Sequence, residues 1–298
     1  MIRLLPFMKQ RILGYAALIL CLSLLAGCSF PGSTKDPSSS TPIDGKGKLR
    51  VIFIDVGQGA SQLIITPSGK TMLIDAGNND KEQVMLDTLK RYGIARLDIV
   101  IGTHPDADHI GGLDKVIDKL SIGRIYMPKV SSNTKTFESV LRSIQRKGLK
   151  VTTAKAGLTL NLDSSVQVNM IAPRSHYEDT NNNSAVIKVV YGKHSFLLTG
   201  DAEAESEKDM LASGANLHSD VLLVGHHGSK SSTSTAFLKK VSPQYAVIQS
   251  GKGNKYGHPT QTVLKRLQKQ GVKVYRNDTQ GTVEFLTDGQ HFQIRAER

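Results

Sequence analysis

Apolar residues in this chain fall mostly into short blocks that stop at Gly, Pro, Asn, Asp or His. Short blocks rich in Val, Ile and Leu read as strands buried on both faces. The first covers 50–56, with VIFIDV at its heart, and Gly57-Gln58-Gly59 stops it. Segments 61–66 and 71–74 follow, separated by Pro67-Ser68-Gly69-Lys70. Three short strands joined by tight turns predict antiparallel pairing. The spacing then becomes helical over 82–92, where Val84, Met85, Leu89 and Tyr92 serve one side and Gly93 ends the run.

Beyond that point strands and helices alternate. Strands are predicted over 97–102, 124–127, 150–153, 166–171, 185–190, 194–199, 221–224, 245–249, 272–275, 281–286 and 291–294. Helices are predicted over 112–119, 136–147, 203–213, 232–240 and 259–269, the last with Pro259 in its first turn. Each half gives several strands and then an alternation of helix and strand. Two mixed sheets face to face with helices outside satisfy that order. No stretch after Leu49 has linker composition, so 49–298 reads as one domain.

The N-terminal segment follows another pattern. Arg3, Lys9 and Arg11 precede an apolar run from Ile12 to Ala26. That run is short for a membrane span and has the layout of a secretory signal peptide. Its end, Leu25-Ala26-Gly27-Cys28, resembles a bacterial lipobox, which makes Cys28 the expected site of lipidation. An uncleaved anchor helix is the alternative. Both hold the domain at the outer face of the cytoplasmic membrane, anchored there in the first case by acyl chains. Residues 29–48 are rich in Pro, Gly, Ser and Thr and read as a flexible tether.

Composition narrows the class without choosing it. Apolar residues make up 39% and charged residues 21%, which fits a soluble globular body rather than a bundle of membrane spans. Two cysteines exclude a disulfide scaffold. The net charge is +12, falling to +9 if Arg3, Lys9 and Arg11 are removed with the signal peptide.

The sharpest chemical signal is Thr103-His104-Pro105-Asp106-Ala107-Asp108-His109, directly after an apolar strand. Imidazoles and carboxylates in this density suit a divalent cation such as zinc or manganese. Crowding them together is costly unless a cation compensates. Asp75, Asp201 and the pair His226-His227 also follow apolar strands. An Asp there is ordinarily a turn former or a cap, and a lone His an ordinary structural residue. Together with 104–109 they suggest one rim where strand ends converge. Asp201 could bridge two ions, and Asp75 could hold a ligating His or the water.

At these residues the sequence resembles the metallo-β-lactamase fold superfamily, and more closely the hydrolase domain attached to ComEC-type DNA-uptake channels. The resemblance is carried by Ile54 to Gly59, Leu73 to Gly77, Thr103 to Gly112, Asn181 to Ser184, Leu198 to Asp201, His226 to Ser229 and Tyr256 to Pro259. It implies an α+β fold, a four-layered αββα sandwich with two metal ions, Zn or Mn, at one edge. It also implies that His104 and Asp106 serve one metal, and Asp108 and His109 the other. Asp201 would bridge, and one of His226 and His227 would complete the second site. His227 is preferred slightly, because adjacent side chains after a strand point to different sides. His258 would sit at the mouth, where it could contact a phosphate or protonate a leaving group. Ala60 stands where the channel-linked proteins carry Asp. The isolated third-motif His has no clear counterpart: His176 is a candidate, and Asn181 to Ser184 occupies the place used in the channel-linked branch.

That branch is thought to degrade the non-transforming DNA strand, which implies phosphodiester hydrolysis by a metal-activated water. Lys129, Lys135, Arg142, Arg146, Lys147 and Lys150 lie between the two halves, and Lys230, Lys252 and Lys255 near two site loops. Positive charge suits a polyanion such as DNA, although exported proteins also meet anionic envelopes. The expectation is an extracytoplasmic phosphodiesterase or nuclease. The alternatives are a hydrolase of a small lactone, amide or phosphoester, which would prefer a closed pocket, and a non-enzymatic binding protein, which would have lost ligands.

Overall fold

The structure is a computed structural model and describes residues 45–298. Cys28 and most of the tether lie outside the described residues. Among the described residues no helix is long and apolar enough to cross a membrane.

Among the described residues fourteen strands form two sheets. The first has the order β14-β13-β1-β2-β3-β4-β5-β6, built from β1 (Leu49–Phe53), β2 (Gln62–Ile65), β3 (Thr71–Ile74), β4 (Arg96–Ile101), β5 (Ser121–Met127), β6 (Val151–Thr153), β13 (Val283–Thr287) and β14 (Phe292–Ala296). The second has the order β12-β11-β10-β9-β8-β7, from β7 (Gln167–Ala172), β8 (Val186–Tyr191), β9 (His194–Leu198), β10 (Val221–Leu223), β11 (Tyr245–Ile248) and β12 (Lys273–Arg276). The strand ranges expected from the apolar blocks hold to within a few residues. The last two strands belong to the first sheet, however, with β13 pairing antiparallel to β1 through Leu49 opposite Thr287.

Each sheet starts as an antiparallel meander and continues parallel. β1, β2 and β3 pair antiparallel, then β4, β5 and β6 follow in parallel. β7, β8 and β9 repeat the meander, with β10, β11 and β12 in parallel.

Alternate residues of the apolar blocks enter different cores. Val51 and Phe53 pack between the sheets with Val221 and Leu223, while Ile52 and Ile54 face outward. The outward face of the first sheet is covered by helices Glu82–Arg91, Leu113–Lys119 and Lys135–Arg146 through Met85, Leu89, Val116 and Val140. Helices Ala204–Ala212, Thr235–Val241 and Gln261–Lys269 cover the second sheet through Met210, Phe237 and Val263. Burial on both faces of each sheet is why the strands read as continuous apolar runs. The result is an αββα sandwich.

Two helical details differ from expectation. A short helix, Ala107–Ile110, lies inside the polar motif. Pro259 precedes its helix rather than entering it: the N-cap is Thr260 and the first helical residue Gln261.

Candidate metal centre

Side chains from both sheets converge at one rim, where the parallel strands end. Asp75 follows β3 and His104 follows β4. Asp201 follows β9, and His226 and His227 follow β10. The short helix Ala107–Ile110 carries Asp108 and His109. Two glycines let the neighbouring loops close in. A Cβ on Gly59 would strike the Asp108 carbonyl, and one on Gly112 would strike the Ala76 carbonyl. Beside Gly59, the backbone N–H of Ala60 donates to the Asp108 carbonyl at 3.1 Å.

Among the described residues, two groups of donors that share His109 lie close enough to hold a cation. His104, His109 and Asp201 form one, and Asp108, His109 and His227 the other, with ligand atoms within 4.8 Å of one another in each group. His109 Nε2 is 3.1 Å from Asp201 Oδ1 and 3.2 Å from His227 Nε2. His227 Nε2 lies 3.2 Å from Asp108 Oδ2 and 3.3 Å from Asp201 Oδ2. The two oxygens of Asp201 therefore face different imidazoles, Oδ1 that of His109 and Oδ2 that of His227. His226 Nε2 is further out, 3.8 Å from Asp201 Oδ2. Asp106 is the outlying carboxylate, half-exposed, with Oδ2 3.9 Å from His104 Nε2.

The imidazoles are held from behind. His109 Nδ1 donates to Asp75 Oδ2 at 2.7 Å, His227 Nδ1 to the Gln249 carbonyl at 2.7 Å, and His226 Nδ1 to Glu203 Oε1 at 2.5 Å. A donor bond at Nδ1 fixes the tautomer that offers a lone pair at Nε2. His104 fits the same scheme. Thr103 Oγ1 already donates to Asp75 Oδ2, so it accepts from His104 Nδ1 at 3.1 Å. His104 Nε2 is then a buried lone pair with no hydrogen-bond partner. An orphaned imidazole nitrogen beside carboxylates is what a bound cation would satisfy. The N and O donor set fits zinc or manganese.

Asp75 contributes without offering a ligand atom. It is 0% exposed, and its oxygens accept from Thr103 N at 2.8 Å, Thr103 Oγ1 at 2.7 Å and His109 Nδ1. Its φ is +57°, and those of His226 and His227 are +46° and +53°. These left-handed conformations are costly for non-glycine residues and persist where the surroundings enforce them. They also explain why the expected alternation fails at 226–227. A kinked turn follows β10, so both rings reach the rim.

Charge shapes the cluster strongly. Burial works against the ionised forms, yet the opposing charges win at His227, Asp108 and Asp201. Burial resists the charge on His227, but Asp201 and the bonds to Asp108 and Asp201 raise its pKa to about 10. Burial also opposes ionisation of Asp108, but the His227 bond and the His109 charge lower it to about 2. Asp201 is buried too, and the His109 and His227 charges hold it well below the usual carboxylate range. His104 is lowered by burial and by the nearby His109. Imidazolium charge and a divalent cation answer the same carboxylates, so they compete for this site.

A cavity of about 140 Å³ opens over the cluster, lined by Gln58, Asp106, Asp108, Asp201, His226, His227, Tyr256 and His258. The His258 ring is 5.5 Å from that of His226 and stacks on Tyr256, which is 57% exposed. Burial, and then the charges of His226 and His227, lower the His258 pKa. His176 lies elsewhere, in a separate groove. The 181–184 segment does reach the site: Ser184 Oγ is 3.3 Å from His104 Nδ1 and accepts from Asp201 N, and Asn181 Nδ2 is 3.5 Å from His226 Nδ1. Sequence reasoning missed Glu203 and Gln249. Glu203 sits two residues past Asp201 and read as a helix start, while Gln249 holds His227 through its backbone carbonyl, which carries no sequence signature.

Comparisons with known proteins agree with this architecture. The family model described as the metallo-beta-lactamase superfamily matches residues 54–252. The chain is 34% identical over 253 residues to ComE operon protein 3 of Bacillus subtilis, covering 79% of this chain and 32% of that protein. It is 33% identical over 243 residues to competence protein ComA of Neisseria gonorrhoeae, covering 80% and 32%. It thus spans about a third of the length of these curated relatives. The crystal structure of the metallo-beta-lactamase fold protein YhfI from Bacillus subtilis superposes with a TM-score of 0.50 at 13% identity, covering 77% of this chain and 96% of that one, a likeness of fold alone. With its two convergent donor groups and its similarity to competence-associated proteins, the chain belongs to the metallo-β-lactamase superfamily.

Proposed function

We propose that this protein is an extracytoplasmic phosphodiesterase that cleaves DNA with two divalent ions. The two donor groups support a metal-dependent hydrolase, and the similarity to competence proteins supports DNA or another phosphodiester as the substrate. The observation that carries the reading is the size of the cavity over the cluster. At about 140 Å³ it is below the roughly 300–1,000 Å³ of pockets that engulf a small molecule. It has room for a scissile group, with the remainder of a larger substrate left outside.

In this reading His104 and Asp201 would hold one ion and Asp108 and His227 the other, with the single free Nε2 of His109 available to one of them, Asp201 placed to reach both, and His226 and Asp106 at the outer edge. Bound divalent ions supply an activated water and neutralise the phosphodiester charge. The chain's own residues do the positioning. Asp75 fixes the His109 ring, the Gln249 carbonyl fixes His227, and Glu203 fixes His226. His258 and Gln58 line the mouth, where the phosphate oxygens and the leaving oxygen would lie. Export and lipidation at Cys28 complete the proposal, and mass analysis of the mature N-terminus tests them. Activity is tested with the metal-loaded protein on linear single-stranded DNA, duplex DNA and bis-p-nitrophenyl phosphate, alongside Asp108→Ala. Metal-dependent cleavage that the variant loses is expected; no cleavage of any of the three contradicts the reading.

A further inference from the structure

A second groove lies beside the metal site on the same rim. It has a volume of about 240 Å³ and is lined by Lys129, Lys155, Arg174, His176 and Asn183 among others, with no carboxylate. Lys129 follows β5, Lys155 follows β6 and Arg174 follows β7, so the groove covers the seam between the sheets where their edge strands end. The backbone bridges that seam through Ala156 N to Pro173 O, next to the Ala154 N to Met127 O bond that continues the β5–β6 pairing.

These cations are available to a ligand. Lys129, Lys155, Arg174 and His176 are all exposed. The side chains of Lys129, Lys155 and His176 have no ion-pair or hydrogen-bond partner among the described residues, while the Arg174 guanidinium donates to the Ile171 carbonyl at 3.3 Å and lies in the field of Asp209. Asp209 lies outside the groove lining, with its Oδ2 bonded to Ser175 Oγ and the Tyr177 hydroxyl and with Lys208 and Arg174 as nearby positive charges. The groove also connects to the centre. Asn183, on its wall, shares a 3-10 turn with Asn181, which touches His226, and the preceding Thr180 reaches Asp106. This turn therefore links the wall of the groove to residues that line the metal pocket.

We propose that this groove binds the phosphate backbone of a nucleic-acid strand beyond the phosphodiester being cleaved, with Lys129, Lys155 and Arg174 as its contacts. This rests on the phosphodiesterase reading and deepens it. The small pocket takes the scissile group, and the groove makes the enzyme prefer a polymer over a small ester. Exposed cations act here by neutralising phosphates, an interaction independent of sequence and weakened by salt.

The test uses the full chain, metal-loaded, and the triple variant Lys129→Ala/Lys155→Ala/Arg174→Ala. A control triple, Lys239→Ala/Lys240→Ala/Lys269→Ala, removes equal charge from exposed helix ends away from the rim. Binding of a cleavage-resistant phosphorothioate 20-mer is read by fluorescence anisotropy across a salt series. The groove triple is expected to weaken binding at least about tenfold and to flatten the logarithmic salt slope by about 2, since each single-strand phosphate contact contributes about 0.7. The control triple should change affinity less than about threefold. Hydrolysis of bis-p-nitrophenyl phosphate should be unchanged in both, and Lys129→Arg/Lys155→Arg should retain binding. Equal loss in the two triples, or no binding of the 20-mer by the unmodified chain, overturns the groove. So does a groove triple that loses only anionic phosphatidylglycerol vesicles, which would assign the patch to a membrane surface. If strand binding depends on the groove but neither ester nor strand is hydrolysed, the groove stands and the phosphodiesterase reading fails.

Discussion

β3 and β9 occupy corresponding places in their sheets. Each ends an antiparallel meander, each begins the parallel run, and each is followed by an aspartate, Asp75 or Asp201. Both carboxylates are buried, at 0% and 4% exposure. Their neighbours give them different work. Asp75 accepts two bonds from Thr103 and one from His109, which take three of its roughly four lone-pair sites, and it belongs to neither donor group. Asp201 has its oxygens toward the Nε2 atoms of His109, His227 and His226. One topology, used twice, therefore yields a positioning group on one side and a candidate bridging ligand on the other. Location at a strand end does not decide a residue's role. What fills its lone pairs does.

This contrast can be broken experimentally. The largest effect is expected for Asp201→Ala, which should lose bound metal and drop hydrolysis to background, read by elemental analysis and initial rates. Asp75→Asn should keep metal binding but weaken affinity or rate by about 10–100-fold, the usual cost of disturbing a group that orients a ligand. Equal metal loss in the two variants would erase the distinction between the aspartates. Glu203→Gln acts on the outermost imidazole and should cost about tenfold at most, visible in rate before metal content. The smallest expected effect is that of Thr103→Val. It leaves Asp75 with one donor fewer and His104 Nδ1 with Ser184 Oγ as its remaining neighbour, lowering unfolding stability by about 1–3 kcal/mol in a denaturant titration, with metal stoichiometry unchanged.

Much of this was legible in the chain because burial on both sheet faces writes apolar blocks into the sequence. The motif at 104–109 was legible because that density of imidazole and carboxylate has few structural uses. Other features were hidden for physical reasons. The return of β13 to β1 depends on pairing between Leu49 and Thr287, far beyond any local pattern. Helix Ala107–Ile110 is a single turn, too short for a period to show. The resemblance gave His104 and His109 to separate metals, whereas His109 stands within reach of both groups. Glu203 and the Gln249 carbonyl act through bonds to rings that only the folded chain brings near.

The most direct measurement is the metal stoichiometry of the purified full chain by inductively coupled plasma mass spectrometry, after exposure to zinc or manganese and removal of free ion. Two divalent ions per chain, reduced in Asp201→Ala, is the result expected if both sheets contribute to one dinuclear centre. A chain that retains no ion under these conditions, or whose bound ions are indifferent to Asp201, would contradict it.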